Sequence, residues 1–145
     1  MRGLLLGSIL ALAAAGTASA GDFVVLSSTD PAFKPGQQLM GGANLRLAAG
    51  AQLVVIHASG MVRKLSGAGK AVTLPQVAAS DANARRTEVL KLMVAQPRRT
   101  RSLVPPACPA PETLTTLDAI LAAGEQEACL PLARQALNAY VEKAE

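Results

Sequence analysis

Aromatic residues are almost absent from this 145-residue sequence, which contains no tryptophan, one tyrosine and two phenylalanines. The hydrophobic core must therefore be built mainly from Leu, Val, Ile and Met, which is feasible but leaves a thin core. The same scarcity argues against nucleic-acid binding, because single strands are usually held by bases stacked on aromatic rings. Histidine occurs once, at His57, and cysteine twice, at Cys108 and Cys129, so a metal site would lack ligands. We expect no metal and no cofactor.

Long apolar runs are missing after residue 20, but residues 1–20 have the three-part pattern of a secretory signal peptide. A positive start at Arg2 precedes an apolar run, and Ala18-Ser19-Ala20 offers small residues at the cleavage site. We predict cleavage before Gly21 and export, with the periplasm as the expected compartment and the extracellular space as the alternative. No later segment is long enough to cross a membrane. In an oxidising compartment two cysteines usually pair, so we predict a Cys108–Cys129 disulfide.

Residues 21–75 have the turn spacing of a small β domain. Glycine-containing turns recur every few residues, and the runs between them either alternate polar with apolar, as in 44–47, or are continuous and β-branched, as in 53–56. The first pattern predicts a half-buried strand and the second a strand covered on both faces. Gly60 predicts a tight hairpin into residues 61–65. We therefore predict a small antiparallel sandwich or partly open barrel.

The order of these motifs resembles the FecR-like β domain of periplasmic signalling proteins, and also small exported bacterial proteins with a similar β unit. The similarity covers residues 23–69 and consists of an apolar strand followed by K-P-G-Q-x-L, G-G-x-x-L-x-L, A-A-G-A-x-L-V-V-I, x-S-G-x-V and L-S-G. The resemblance implies protein–protein contact in the cell envelope rather than catalysis. The chain lacks the transmembrane helix and cytoplasmic segment of the membrane-bound regulators, so transmembrane signalling does not carry over.

The sequence predicts helices within residues 76–145, and together with the β domain this makes the expected fold class α+β. In residues 76–107, Ser80 or Asp81 caps a helix that Pro97 stops, and a basic, proline-rich connector follows. Residues 108–145 predict a helical hairpin whose first helix begins near Pro111 and ends at Gly124. The predicted disulfide would tie the two helices of this hairpin together.

Three patterns invite a catalytic or ligand-binding interpretation, and each fails a test. The run from Gly67 to Lys70 lacks the earlier glycine and the following hydroxyl of a phosphate-binding loop, since those positions hold Lys64 and Ala71. His57 and Ser59 lie close together without a third group to orient the histidine, so we predict a strand-end or surface histidine. Glu125 and Glu127 are better placed to favour a helix start than to act as paired catalytic carboxylates. We therefore expect that the protein is not an enzyme.

Charge is divided unevenly, with 11 Lys and Arg against 4 Asp and Glu in residues 21–107, and 2 against 6 in residues 108–145. The densest basic segment is a possible contact for an anionic partner through Arg85, Arg86, Arg98, Arg99 and Arg101. Its acceptor could be lipid phosphate, a cell-wall polymer, or the chain's own acidic hairpin through Glu112, Asp118, Glu125 or Glu127; a solvated face is the remaining alternative.

The leading hypothesis is a non-catalytic exported adaptor that presents a sheet face or edge to an envelope protein. The alternative is an electrostatic binder of anionic envelope material through the segment from Arg85 to Arg101.

Overall fold

The structure is a computed structural model that describes residues 22–78, 80–95 and 107–144. It has the predicted α+β fold, in which short antiparallel strands precede three α helices. The strands are β1 (Phe23–Ser28), β2 (Gln38–Leu39), β3 (Asn44–Arg46), β4 (Gln52–His57), β5 (Val62–Ser66) and β6 (Ala71–Thr73), and the helices are α1 (Asp81–Val94), α2 (Leu117–Gly124) and α3 (Leu130–Ala144). The predicted leader and the arginines at 98, 99 and 101 lie outside the described residues.

The strands form two antiparallel sheets, and in the described ranges they do not close into a barrel. The larger sheet has the order β2-β1-β4-β5, and the smaller one pairs β3 with β6. The register between β1 and β4 shifts between Val25 and Ser27, so Leu26 is an extra residue of the kind that bends a strand and increases its twist. Among the residues that the structure describes, the two-residue β2 and β5 are the outermost strands of the main sheet.

A first apolar core lies between the two sheets. It is built from one face of β1 and β4 together with residues of the smaller sheet and the loops, namely Phe23, Val25, Leu39, Leu45, Leu47, Ala51, Leu53, Val55 and Leu74. Phe23 supplies the only fully buried benzene ring in this cluster, and aliphatic side chains fill the rest. A core of this composition matches the expectation from the scarcity of aromatic residues.

A second core lies on the opposite face of the main sheet, where the helices pack. Val24 and Ile56 project from the sheet into a cluster with Leu90 and Met93 of α1 and with apolar residues of α2 and α3. Because β4 contributes to both cores, the prediction that this strand is covered on both faces is confirmed. The helices and the sheet consequently share one core.

The helix ends follow local capping signals. Ser80 accepts a hydrogen bond from the backbone N–H of Asn83 at the start of α1, as predicted. The hairpin differs from the expectation, because Pro111 opens a single 3-10 turn and α2 begins only at Leu117, where the hydroxyl of Thr116 accepts from the N–H of Ala119. A threonine cap at position 116 therefore sets the start of α2.

The predicted disulfide is confirmed. Cys108 and Cys129 are bonded, with their Cα atoms 5.6 Å apart. The bond joins the segment before the 3-10 turn to the residue that precedes α3, and Cys129 is fully buried. It thus holds the chain close to the helical layer just ahead of α2.

Candidate functional site

His57 and Ser59 form a local pair at the end of β4. The imidazole Nδ1 of His57 accepts the backbone N–H of Ser59 at 3.0 Å and lies 2.8 Å from the Ser59 hydroxyl. Because Nδ1 accepts a backbone N–H, the neutral ring carries its proton on Nε2. Within the described residues Nε2 has no hydrogen-bond partner. The pair closes the turn into β5.

His57 is a strand-end residue as expected, but it is buried and not at the surface. It stands opposite Phe23 in the β1–β4 ladder, with ring centroids 5.1 Å apart. Burial lowers the pKa of the imidazole below its ordinary value of 6.5, while the charge of Asp22 acts in the opposite direction. The neutral imidazole ring therefore packs mainly as an apolar side chain beside the inter-sheet core.

This burial predicts a loss of stability in mild acid. Because the folded-state pKa of His57 lies below 6.5, the unfolded chain takes up the proton first as the pH falls. The free energy of unfolding should be undiminished above pH 6.5 and should decrease progressively from there down to the folded-state pKa. Urea unfolding of the native protein and of His57→Asn, at about pH 7.5 and about pH 5.5, measures the effect.

The asparagine variant retains an acceptor for the Ser59 N–H but does not titrate in this range. His57 is the only histidine in the chain, so the native protein should lose more free energy of unfolding between the two pH values than His57→Asn does. Equal losses in both proteins would show that the histidine is not responsible.

Arg85 and Arg86, the two arginines of the basic segment that the structure describes, differ in their contacts. Arg85 is exposed on α1. Arg86 forms an ion pair with the carboxylate of Asp118 in the first turn of α2 and donates to the Ala58 carbonyl at 3.3 Å. Arg86 thus links α1, α2 and the β4–β5 turn, and Asp118 is one of the acceptors considered from the sequence. The other three predicted arginines, at 98, 99 and 101, lie outside the described residues.

The structural roles of two polar residues, Arg134 and Asp30, were not predicted from the sequence. Arg134 of α3 donates to the carbonyls of Met93 and Ala95, so it caps the end of α1. The carboxylate of Asp30 accepts the backbone N–H groups of Ala48 and Ala32, and these hydrogen bonds hold its pKa below the ordinary value. A turn at Asp30 is detectable from the following proline. The Arg134 contact joins residues about 40 positions apart and has no local signal.

The glycine-rich stretch before β6 is a packing site. A Cβ atom at Gly67 would lie 1.9 Å from the carbonyl oxygen of Ala48, so only glycine allows this approach. Gly67 also donates to the Ala51 carbonyl at 2.7 Å and accepts from Gly50 at 2.9 Å. These contacts hold the loop before β4 against the end of β5 and provide a structural reason for the glycine.

The helical layer carries a groove on its surface. This groove, of about 310 Å³, lies between the segment that begins at Pro111 and the outer face of α3, and its lining is mainly apolar with Glu112 and Lys143 among the lining residues. The described ranges contain no group of three or more His, Cys, Asp or Glu side chains that could hold a metal ion.

The most distinctive surface is the outer edge of β5. This five-residue strand pairs with β4 on one side, and within the described chain no strand pairs with its other side. The hairpin bonds fix its orientation, because the N–H of His57 donates to the Met61 carbonyl and the N–H of Gly60 donates to the His57 carbonyl. We refer to the outer side of Val62–Ser66 as the β5 edge.

Comparison of the chain with protein-family models, with curated proteins and with solved structures finds no match in any of the three. In the part of the chain that the structure describes, no helix has both the length and the apolar character needed to span a membrane.

Proposed function

We propose that this protein is a non-catalytic, exported component of the bacterial cell envelope that binds a partner protein. The observation that carries the proposal is the β5 edge, the side of a five-residue strand along which no other strand of the described residues lies. Such an edge offers a row of backbone donors and acceptors to another chain, and strand addition is a recurrent mode of protein recognition. The FecR-like pattern of residues 23–69 supports the same class of function.

Export is supported by two independent features. Residues 1–20 have the composition of a cleavable leader, and Cys108 is bonded to Cys129. Disulfides persist mainly in oxidising compartments. The proposed location is the periplasm, where the mature chain would meet envelope proteins.

Chemical crosslinking tests this function. The full chain, with its leader and an affinity tag, is expressed in its native host, and intact cells are treated with a crosslinker before the tagged protein is recovered. We expect one envelope protein to be recovered in a fixed ratio to the tagged chain. A version that lacks residues 1–20 is the control, and it should stay in the cytoplasm and lose that partner. Repeated recovery of the protein alone would contradict the proposal.

An electrostatic role is the second candidate, and the surface charge of the β portion favours it. In residues 22–78 the exposed cations are Lys34, Arg46, Arg63, Lys64 and Lys70, whereas both carboxylates accept backbone hydrogen bonds. If anionic envelope material is the ligand, association should be released by salt. Charge reversal of the three arginines at 98, 99 and 101 should also abolish it, and replacement of the same three arginines by lysine, which keeps the positive charge, is the control. Association that survives salt and the arginine reversal would exclude this role.

A further inference from the structure

We propose that the groove beside α3 is the contact surface between two copies of this chain, which pair antiparallel about a twofold axis. This self-association goes beyond the partner binding proposed above and uses a different surface. One wall of the groove is α3 and the other is the segment before α2, and the apolar lining residues are Leu132, Ala136, Ala139, Tyr140, Pro111 and Leu114. We refer to it as the α3 groove.

Helix α3 has two apolar faces, and only one of them is used by the core. Ala133 and Leu137 are buried and belong to the core under the helices. Leu132, Ala136 and Ala139 are spaced four and three residues apart, so they lie on one further face of the helix. The first two are half-buried and Ala139 is exposed. This second face forms the floor of the α3 groove and is open to a binding partner.

The second wall of the groove runs along α3 from its start toward its end. The Cys108–Cys129 bond places the beginning of the segment beside the residue that precedes α3. At the other end of the segment, a Cβ atom on Gly60 would lie 2.7 Å from the Tyr140 hydroxyl and 3.4 Å from a methyl group of Leu117. The start of α2 is therefore close to the last turns of α3.

The groove has one charge of each sign, at different positions along its length. Glu112 lies in the 3-10 turn that follows Cys108, on the side of the groove nearer the start of α3. Lys143 lies in the last turn of α3. Both side chains are exposed, and within the described residues neither forms an ion pair. The α3 groove consequently has a negative end and a positive end, and both charges are available to a partner.

A second copy of the chain satisfies both charges at once. In a twofold interface each residue contact occurs twice, with the roles of the two copies exchanged. An antiparallel pair of α3 helices centred between Ala136 and Ala139 brings Glu112 of each copy toward Lys143 of the other. The small alanine side chains at the centre allow the two helices to approach closely. A lipid phosphate fits less well, because the carboxylate of Glu112 would repel it.

Sedimentation velocity tests the inference on the native protein with its disulfide formed. We expect a monomer–dimer equilibrium that shifts toward the dimer as the protein concentration rises. Glu112→Lys and Lys143→Glu each place like charges at both symmetric contacts, and each should weaken the dimer at least roughly tenfold. Glu125→Lys and Arg85→Glu make the same changes of charge at exposed positions outside the groove, and they should dimerise as the native protein does.

Mixing the two groove variants separates a lost contact from a damaged fold. Glu112→Lys has two cations in the groove and Lys143→Glu has two carboxylates, so a dimer with one chain of each kind has opposite charges at both contacts. Each variant alone should be mainly monomeric, and their mixture should form mixed dimers with about the native affinity, as measured by native mass spectrometry. Recovery of binding on mixing is expected only if both chains are folded and meet through this groove.

A change at the centre of the groove completes the test. Ala139 is exposed, so Ala139→Glu should leave the fold intact, and it should abolish the dimer because it places two carboxylates close to the twofold axis. A native protein that stays monomeric at every concentration would overturn the inference. A dimer that tolerates both groove charge reversals and Ala139→Glu would also overturn it, because the copies would then meet through another surface.

Discussion

Replacing Gly67 with alanine is expected to lower the free energy of unfolding by about 3 kcal/mol, the upper end of the usual cost of overpacking. The added Cβ would meet the Ala48 carbonyl oxygen at 1.9 Å, and a backbone atom cannot rotate away as the end of a long side chain can. Relief requires the loop before β4 to separate from the end of β5. That movement would break the hydrogen bonds of Gly67 to Ala51 and Gly50.

Gly69→Ala is the matched control, because it places the same methyl group two residues away. Gly69 has a φ of +72°, and no atom lies within 4 Å of the position that a Cβ would take there. Its substitution should cost only about 1 kcal/mol, from the left-handed backbone conformation. Urea unfolding of both variants and the native protein measures the difference. Equal destabilisation of the two variants would mean that the close approach at Gly67 is relieved at little cost.

Removal of the Cys108–Cys129 bond is expected to have an effect of similar size. The two cysteines are 21 residues apart, and the chain-entropy treatment of a loop of this length gives a stabilisation of about 3 kcal/mol. The residues it encloses include the 3-10 turn and the whole of α2, so its loss should be felt in the helical layer first. The double variant Cys108→Ala, Cys129→Ala should unfold at a lower urea concentration than the native protein.

A reducing agent provides the control for this prediction. It should destabilise the native protein by about the same amount as the double substitution and should leave the double variant unchanged. If the reduced native protein unfolds at the same urea concentration as the oxidised one, the bond contributes little. Hydrogen exchange of the α2 amides would then show whether the helical layer is held by packing alone.

Local signals predicted much of this fold. The continuous apolar run of β4 required cover on both faces, Ser80 marked the start of α1, and Gly60 has the positive φ of +93° that its hairpin requires. Each of these features depends on residues within one turn or one strand. The start of α2 was wrong because Pro111 gave a strong start signal, although Thr116 was the cap that formed.

Features that depend on distant residues could not be predicted. The packing of the helices on the sheet depends on Val24 and Ile56 facing α1 and α2. The local sequence around these two strand residues does not indicate which helices will cover them. The same holds for the contact between Gly67 and Ala48. The sequence offered Asp118 as one of four acceptors for the basic segment, but it did not show that Arg86 is the residue that pairs with it. The β5 edge was expected only as one possible sheet face or edge, because the sequence does not show which strand is last in the sheet.

The burial of β4 on both faces has a consequence for the independence of the two layers. Val55 of this strand belongs to the core between the sheets, and the next residue, Ile56, belongs to the core under the helices. Neither core can open without exposing one face of the same strand to water, and segments that share buried contacts tend to open as one cooperative unit. Because β4 belongs to both cores, a change that loosens the packing of the helices on the sheet should also destabilise the packing between the two sheets.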